Sequence, residues 1–203
     1  MLIARRLVGL GLFAMAVPPH RRAGAYDLSF DVTFRADVNE DTCSHLKAAI
    51  KERVRERTTL LAQLGAENVA VPPIHLHVTS RGGSLIAGLQ AYDYLSTVDG
   101  LHTHVDGIVA SAATLLTVAG DRRYMTRHSM LLVHQPSLYL EDDMKATDLR
   151  DQTINMQKLV SNLLDIYNAT TQLDIDSLTQ MIQNEQILTS QEALQYGFVD
   201  EIE

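Results

Sequence analysis

Apolar and polar residues alternate along several short stretches of the chain, and a period of two predicts β-strands with one buried face. The first stretch runs from Tyr26 to Phe34, and residues 74–79, 101–109 and 130–133 form three further predicted strands. Runs with helical spacing separate them. That order is typical of βαβ units in a mainly parallel sheet, so we expect an α/β fold.

Apolar residues spaced three and four positions apart predict the helices. One helix follows the polar, turn-like residues 39–42 and extends beyond Leu60, and another follows Ser84. A third runs from Asp143 to Thr170, well beyond the mean helix length of about 11 residues. Its apolar side is formed by Met156, Leu159, Leu163, Ile166 and Tyr167. A single domain seldom needs such a rod, so we expect this helix to project and pack against a partner.

Shorter elements complete the C-terminal part of the chain. Residues 177–184 are predicted to form a helix. Thr189 and Glu192 have the spacing of a capping box, which predicts a further helix that ends at Gly197. The apolar pair Phe198 and Val199 is predicted to form a strand.

Composition narrows the function classes. The chain has 203 residues, of which 46% are apolar, and this is enough for one domain with a sizeable core. Residues 1–25 carry four arginines and no acid, so a net charge of −8 leaves −12 for the remainder. An acidic body argues against nucleic acid as the main partner. Cys43 is the only cysteine, so no intrachain disulfide forms and a reducing compartment is expected.

Residues 1–25 have the character of a targeting or processing segment, which leaves 26–203 as the folded domain. Arg5 and Arg6 precede an apolar run, Leu7 to Val17, that is too short to span a bilayer. A secretory signal, an organellar transit peptide and a disordered arm of the mature protein all fit this segment. We expect a cytoplasmic or organellar protein and no membrane anchor.

Residues 106–114 contain the first candidate for a reactive side chain. An apolar strand stops at Ser111, and small residues that favour a helix follow. Small neighbours allow a tight turn, and the N–H of Ala112 would face a developing negative charge. A serine at such a corner is more often a helix N-cap than a nucleophile.

Two other stretches favour the interpretation of Ser111 as a nucleophile. Ser80-Arg81-Gly82-Gly83-Ser84 follows a strand, and its glycines let the backbone lie against a ligand. His134 ends the strand at 130–133, where Pro136 terminates the pairing. A serine, a base for its proton and backbone N–H donors for an oxyanion are what acyl transfer requires.

At this point the chain resembles the proteolytic subunit of the Clp protease, and the resemblance extends from about Asp27 to Glu203. The matching motifs, in the family's order, are SRGGS at 80–84, GLQAYD at 88–93, ASAA at 110–113, AG at 119–120, HQP at 134–136, ATD at 146–148 and YGFVD at 196–200. The resemblance implies a Clp protease/crotonase-like fold in which the long helix joins two rings.

The resemblance also implies roles for individual residues. Ser111 would be the nucleophile, His134 the base, and the N–H groups of Gly83 and Ala112 the oxyanion hole. The family's third catalytic residue is an aspartate, and Glu185 stands at that place here. A glutamate performs the same orienting role with a side chain one methylene longer.

The expected function is therefore that of a serine endopeptidase subunit of an ATP-dependent Clp-type protease, which hydrolyses unfolded polypeptides in an oligomeric chamber. We expect homo- or hetero-heptameric rings in a double ring, without metal or cofactor in this chain. No Walker loop is present, so ATP would be used by a separate AAA+ unfoldase.

Two alternatives remain at this stage. A non-catalytic structural subunit of a mixed ring would tolerate the exchange at Glu185. An acyl-CoA enzyme of the crotonase type would use the glycine-turn N–H groups without a serine nucleophile. The histidine pairs 75/77 and 102/104 could suggest a metal site, but strand alternation alone predicts them as a polar strand face.

Overall fold

The computed structural model describes residues 29–63, 71–137 and 145–203. The strands are β1 (Phe30–Phe34), β2 (Ile74–Ser80), β3 (Leu101–Ala110), β4 (Arg122–Met125), β5 (Met130–Val133), β6 (Gln186–Thr189) and β7 (Glu201–Ile202). The helices are α1 (Glu40–Gln63), α2 (Leu85–Leu95), α3 (Thr114–Val118), α4 (Ala146–Thr170), α5 (Ile175–Gln183) and α6 (Ser190–Tyr196). A 3₁₀ turn, Ser111–Ala113, lies between β3 and α3.

The seven strands form one sheet in which β1, β2, β3, β4 and β7 lie side by side, all parallel. The first half of β3 pairs with β4, and its last residues, Ile108 to Ala110, pair in parallel with Met130 to Leu132 of β5. β6 then pairs antiparallel with β5. The predicted α/β fold with a mainly parallel sheet is confirmed. Because β3 and β5 are neighbours, the residues that follow them come together at one edge.

One face of the sheet carries the core. Ile74, Leu76 and Val78 of β2 are fully buried, and the residues between them are half-buried. Helices α1 and α2 pack near this face, and Leu46, Ile50 and Leu95 join the same hydrophobic cluster. Alternation with a period of two therefore placed the buried face correctly. Cys43 is buried in α1 at 3% exposure, as expected for a small apolar residue.

Several element boundaries differ from the sequence prediction. Residues 39–42 are not a separate turn, because α1 begins at Glu40 and the Asn39 side chain accepts the N–H of Thr42 as a cap. Phe198 and Val199 are buried core residues outside any strand, and pairing begins two residues later in β7. Strands β4 and β6 were not predicted.

Other predicted boundaries agree closely with the structure. Strand β1 covers the second half of the predicted stretch, whose first residues lie outside the described part. The capping box of Thr189 and Glu192 is present, and Gly197 ends α6 in the left-handed conformation with φ 80°. Helix α5 starts at Ile175, two residues earlier than predicted, because Asp174 caps it.

Helix α4 has 25 residues, and its length agrees with the prediction. Its C-terminal part packs on the sheet domain through Leu163 and Tyr167, which are buried. Its N-terminal part keeps Leu149 and Ile154 at 42% and 40% exposure. Residues 143–144 of the predicted helix lie outside the described residues.

Within the described residues, no helix is both long and apolar enough to cross a bilayer.

Candidate active site

Ser111 sits at the corner between β3 and α3 with φ 56°, in the left-handed region that non-glycine residues seldom adopt. Such a conformation costs of the order of 1–3 kcal/mol and persists where the surroundings hold it, which is frequent at functional sites. The 3₁₀ turn that starts here has no side-chain cap. Ser111 is therefore not an N-cap, and the helix-cap interpretation of this serine is wrong.

Gly82 allows the corner to form because it lies directly against it. A Cβ on Gly82 would stand 2.6 Å from Ser111 Cβ and 2.6 Å from the carbonyl oxygen of Ala110. Gly82 also has φ 96°, a conformation that side chains rarely permit. Gly88 of α2 lies in similar close contact with Ala112, the residue after Ser111, because a Cβ on Gly88 would stand 3.0 Å from the Ala112 carbonyl oxygen. Two glycines thus bring two backbones against the serine corner.

The peptide N–H of Gly83 faces away from the neighbouring segment at Val38. Val38 N–H donates to Gly82 O at 2.8 Å, and Ser84 N–H donates to Val38 O at 2.7 Å. Both bonds lie on one side of the extended segment, so the N–H of Gly83 lies on the other side, away from Val38. Gly83 lines the cavity described below.

His134 follows the last residue of β5, and Ser111 follows the last residue of β3. Because these strands are paired in parallel, the two side chains reach the same end of the sheet. Ser111, His134, Gly83 and Ala112 all line one cavity of about 430 Å³. The structure thus brings together four of the five residues that were predicted for the site.

The remaining wall of this cavity is largely apolar. It is formed by Leu85, Ile86, Met156, Leu159, Leu163 and Tyr167. Four of these six residues, Met156, Leu159, Leu163 and Tyr167, belong to α4, so the apolar side of the long helix forms much of the cavity wall. Apolar walls exclude water and strengthen hydrogen bonds to a developing charge.

Hydroxyl groups below the serine corner form a chain that the sequence did not reveal. Thr114 Oγ1 donates to the carbonyl oxygen of Ser111 at 2.6 Å, and Thr114 Oγ1 also contacts the hydroxyl of Tyr167. Burial raises the pKa of Tyr167 to about 12. Tyr167 and Thr114 lie 53 positions apart, so only the tertiary fold joins them.

Glu185 lies beside His134 in the backbone register but not in the cavity wall. Val133 pairs with Gln186, and the next positions along the antiparallel strands are His134 and Glu185. Gln135 N–H donates to Ile182 O at 3.1 Å, which keeps the two segments together. Glu185 has φ 49° and an exposed side chain. Across the described ranges, no hydrogen bond joins the side chains of Ser111, His134 and Glu185.

A second polar cluster occupies the open face of the sheet. His75 and His104 share a hydrogen bond of 2.8 Å between Nδ1 and Nε2, and His104 Nδ1 lies 2.8 Å from a Glu203 oxygen. His77 stacks on His104 with 4.3 Å between ring centroids, and its Nδ1 lies 2.9 Å from Asp106. The predicted polar strand face is confirmed. In the described part of the chain, no three His, Cys, Asp or Glu side chains are arranged to hold a metal ion.

Comparison with known proteins gives a consistent result. A family model described as Clp protease matches residues 36–203. An ATP-dependent Clp protease proteolytic subunit of Bdellovibrio bacteriovorus is 29% identical over 180 residues, which are 86% of this chain and 83% of that protein. Subunit 1 of the same enzyme from Leifsonia xyli is 33% identical over 154 residues, or 74% of this chain and 77% of the relative.

Another relative is matched over a shorter segment. Subunit 1 of the ATP-dependent Clp protease of Protochlamydia amoebophila is 31% identical over 133 residues. That segment is 64% of this chain and 65% of the relative, just under two thirds of its length.

Proposed function

The chain belongs to the Clp protease family as a Clp-type protease subunit, and we propose that it hydrolyses unfolded polypeptides as a serine endopeptidase. One observation supports this most strongly. A serine in a strained left-handed conformation shares a cavity with a strand-end histidine and with Gly83 and Ala112, the two residues proposed to donate backbone N–H groups. Structural serines need neither the strain nor these neighbours.

In the proposed reaction, Ser111 Oγ attacks the carbonyl carbon of the scissile peptide bond. His134 takes the hydroxyl proton as the new C–O bond forms, and returns it to the leaving amine as the C–N bond breaks. Water then attacks the acyl-enzyme with the same base, and this releases the carboxylic acid and restores the Ser111 hydroxyl. Catalytic hydrogen bonds often tighten only when substrate binds.

The N–H groups of Gly83 and Ala112 are proposed to hold the oxyanion of the tetrahedral intermediate. Gly83 and Ala112 belong to two different segments and both line the cavity with Ser111, which supports this assignment. Loss of one such donor typically costs about 10²–10³ in kcat.

We also propose that Glu185 orients the His134 ring. Its position next to Gln186, which pairs with Val133 just before His134, supports this role, and its left-handed backbone is the second non-glycine strain point of the described residues. Its carboxylate must turn inward to reach His134, so the pair would form fully in the assembled, substrate-bound enzyme.

The assembly proposed here is a double ring of heptamers, homo- or heteromeric, served by a separate AAA+ Clp unfoldase that uses the ATP. The exposed apolar residues Leu149 and Ile154 on the N-terminal part of α4 support contacts between rings. The acidic body of the chain gives nucleic acid no role. Whether the protein acts in the cytoplasm or in an organelle depends on residues 1–25, which lie outside the described residues.

The family match and the names of the relatives favour the peptidase over an acyl-CoA enzyme. The test is hydrolysis of a short fluorogenic peptide that needs no unfoldase. Ser111→Ala should abolish hydrolysis of this peptide. Ser137→Ala, which changes an exposed serine in the same cavity wall, should leave the hydrolysis rate unchanged. Equal activity of wild type and Ser111→Ala would refute the assignment, and an inactive wild type would favour the non-catalytic subunit.

A further inference from the structure

The peptide between Ser111 and Ala112 carries two functions at once, because its carbonyl belongs to the nucleophile and its N–H to the oxyanion hole. In a trans peptide the C=O and N–H bonds point in opposite directions. Whatever holds the Ser111 carbonyl toward the core therefore aims the Ala112 N–H toward the cavity. The direction of this one peptide plane decides whether the donor faces the oxyanion.

Thr114 holds that carbonyl with two groups. Its backbone N–H donates to Ser111 O, and its Oγ1 donates to the same oxygen at 2.6 Å. Thr114 is fully buried, so these bonds do not compete with water. A carbonyl oxygen has two acceptor sites, and Thr114 occupies both of them.

Tyr167 completes the arrangement from helix α4. A threonine hydroxyl has one proton, and Thr114 uses it on Ser111, so the contact with Tyr167 requires the tyrosine hydroxyl to donate to Thr114 Oγ1. Tyr167 is 1% exposed, and its ring packs edge-on against Phe198 with centroids 5.4 Å apart. The donor is therefore fixed in position by packing.

We propose that Tyr167, acting through Thr114, is a positioning residue that orients the Ser111–Ala112 peptide and so aims the oxyanion donor. The hydroxyl chain also offsets part of the strain of Ser111 at φ 56°. This inference rests on the proposed serine peptidase function. It gives α4 a second role besides the proposed contact between rings, because Tyr167 in its last turns lies beneath the serine corner.

The two hydroxyls can be removed separately. Tyr167→Phe keeps the ring and deletes only the donor, and we expect kcat to fall about tenfold with KM within twofold of wild type. Thr114→Val deletes the bond to Ser111 itself and should lower kcat further, toward but not beyond the ~10²–10³ loss of a whole donor. Thr114→Ser keeps the hydroxyl and should retain at least a third of the activity.

Thr117→Val is the matched control. Thr117 lies one helical turn further along, is 1% exposed, and donates its hydroxyl to Thr114 O at 2.9 Å instead of to Ser111. It loses a buried hydroxyl in the same helix, so its thermal unfolding midpoint should fall much as in Thr114→Val, with kcat within twofold of wild type. All assays are run below the lowest of these midpoints.

A peptide boronate distinguishes positioning from structural damage, because its tetrahedral adduct with the serine mimics the oxyanion. Its affinity should fall by the same factor as kcat in Tyr167→Phe and Thr114→Val, and the double variant should be no worse than Thr114→Val alone, since the groups act in series. Unchanged kcat in both single variants would overturn this inference, and so would a loss of kcat in Thr117→Val equal to theirs. Either result would leave the proposed function standing. A wild type without Ser111-dependent hydrolysis would overturn the proposed function as well.

Discussion

Gly82 and Ser111 are in such close contact that a single methyl group would not fit between them. A Cβ on Gly82 would lie 2.6 Å from the Cβ of Ser111, and the glycine has φ 96°. Ser111 and the glycine turn are therefore one packed unit rather than two adjacent motifs. The position of the serine depends on a residue 29 places earlier in the chain.

Gly82→Ala should damage both stability and activity. The added methyl group meets backbone atoms that cannot move cheaply, so we expect a loss of about 2–4 kcal/mol in the free energy of unfolding from overpacking and backbone strain together. Peptide hydrolysis should fall at least 100-fold, because the serine corner shifts. Chemical denaturation and kcat/KM measure the two effects.

Gly107→Ala is the control for this variant. Gly107 has φ 80°, but the nearest atom to its added Cβ is Thr79 Cγ2 at 3.9 Å, an ordinary contact. It should therefore lose about 1–2 kcal/mol from backbone strain alone and keep normal kcat/KM when folded. Equal activity in Gly82→Ala and Gly107→Ala would show that contact with Ser111 is not what Gly82 provides.

Glu185 is predicted to affect the rate and not the fold. Removal of the acid from an enclosed triad costs about 10⁴ in kcat, but Glu185 is exposed and its charge is screened by water. We therefore expect Glu185→Ala to lower kcat by about 10², measured on a fluorogenic peptide. Glu185→Gly removes the same carboxylate and relieves φ 49°, so it should be equally slow yet no less stable than wild type.

Asp176→Ala is the matched control, because Asp176 is an exposed carboxylate in the neighbouring helix α5. It should retain full activity. A loss of less than about threefold in Glu185→Ala, well under 1 kcal/mol, would exclude Glu185 as the third member. The site would then work with Ser111 and His134 alone.

The histidine face predicts that stability falls in mild acid. Burial lowers the pKa of His75, and the nearby His104 and His102 lower it further, against an opposing effect of Asp31. Burial lowers the pKa of His102 as well, with His104 and Arg122 adding to it. The unfolded chain then binds more protons, so stability rises with pH. The stability that depends on neutral His75 and His102 is complete above about pH 6.5, the ordinary histidine pKa. It is lost as the pH falls through the lowered pKa values of these two residues.

Thermal unfolding between pH 7.5 and pH 5 measures this effect. The double variant His75→Gln/His102→Gln should show a flatter dependence of the unfolding midpoint on pH than wild type. His45→Gln, which replaces an exposed histidine on α1, should leave the dependence unchanged. A double variant with the wild-type slope would mean that other groups, such as carboxylates, cause the acid sensitivity.

The N-terminal part of α4 is predicted to hold rings together. Leu149→Glu with Ile154→Glu places charges on residues that are 42% and 40% exposed, so the folded chain should tolerate them while an apolar contact between rings should not. Sedimentation should show a particle of about half the wild-type mass. Val71→Glu, at a residue 56% exposed outside α4, is the control. A wild type that sediments as a 22.5 kDa monomer would contradict the assembly.

Local signals predicted much of the site. The change from an apolar strand to small residues marked the corner at Ser111, and the βαβ order made β3 and β5 neighbours, which brought His134 to the same edge. The capping box at Thr189 was readable because all of its groups lie within four residues. Each of these inferences uses the period or the chemistry of one continuous segment.

The features that escaped prediction depend on tertiary contacts. The sequence of strand β4 has mixed polarity and no clear alternation. Its hydrogen bonds come from β3 and β7, which are distant in sequence, so no local pattern marks it as a strand. Phe198 and Val199 are apolar because they fill the core. A short apolar pair of this kind has the same sequence pattern as a buried strand. The contact of Tyr167 with Thr114 and the left-handed backbone of Glu185 have no local signature, since distant residues impose both.

Labelling with a fluorophosphonate probe tests the central claim most directly, because only a serine activated by a base and an oxyanion hole reacts rapidly. Mass spectrometry of the digested adduct should locate one modification at Ser111. The modification should be absent in Ser111→Ala, slower by about 10³ or more in His134→Ala, and unchanged in Ser137→Ala. An unlabelled wild-type protein in its assembled form, or an adduct on any residue other than Ser111, would contradict the account.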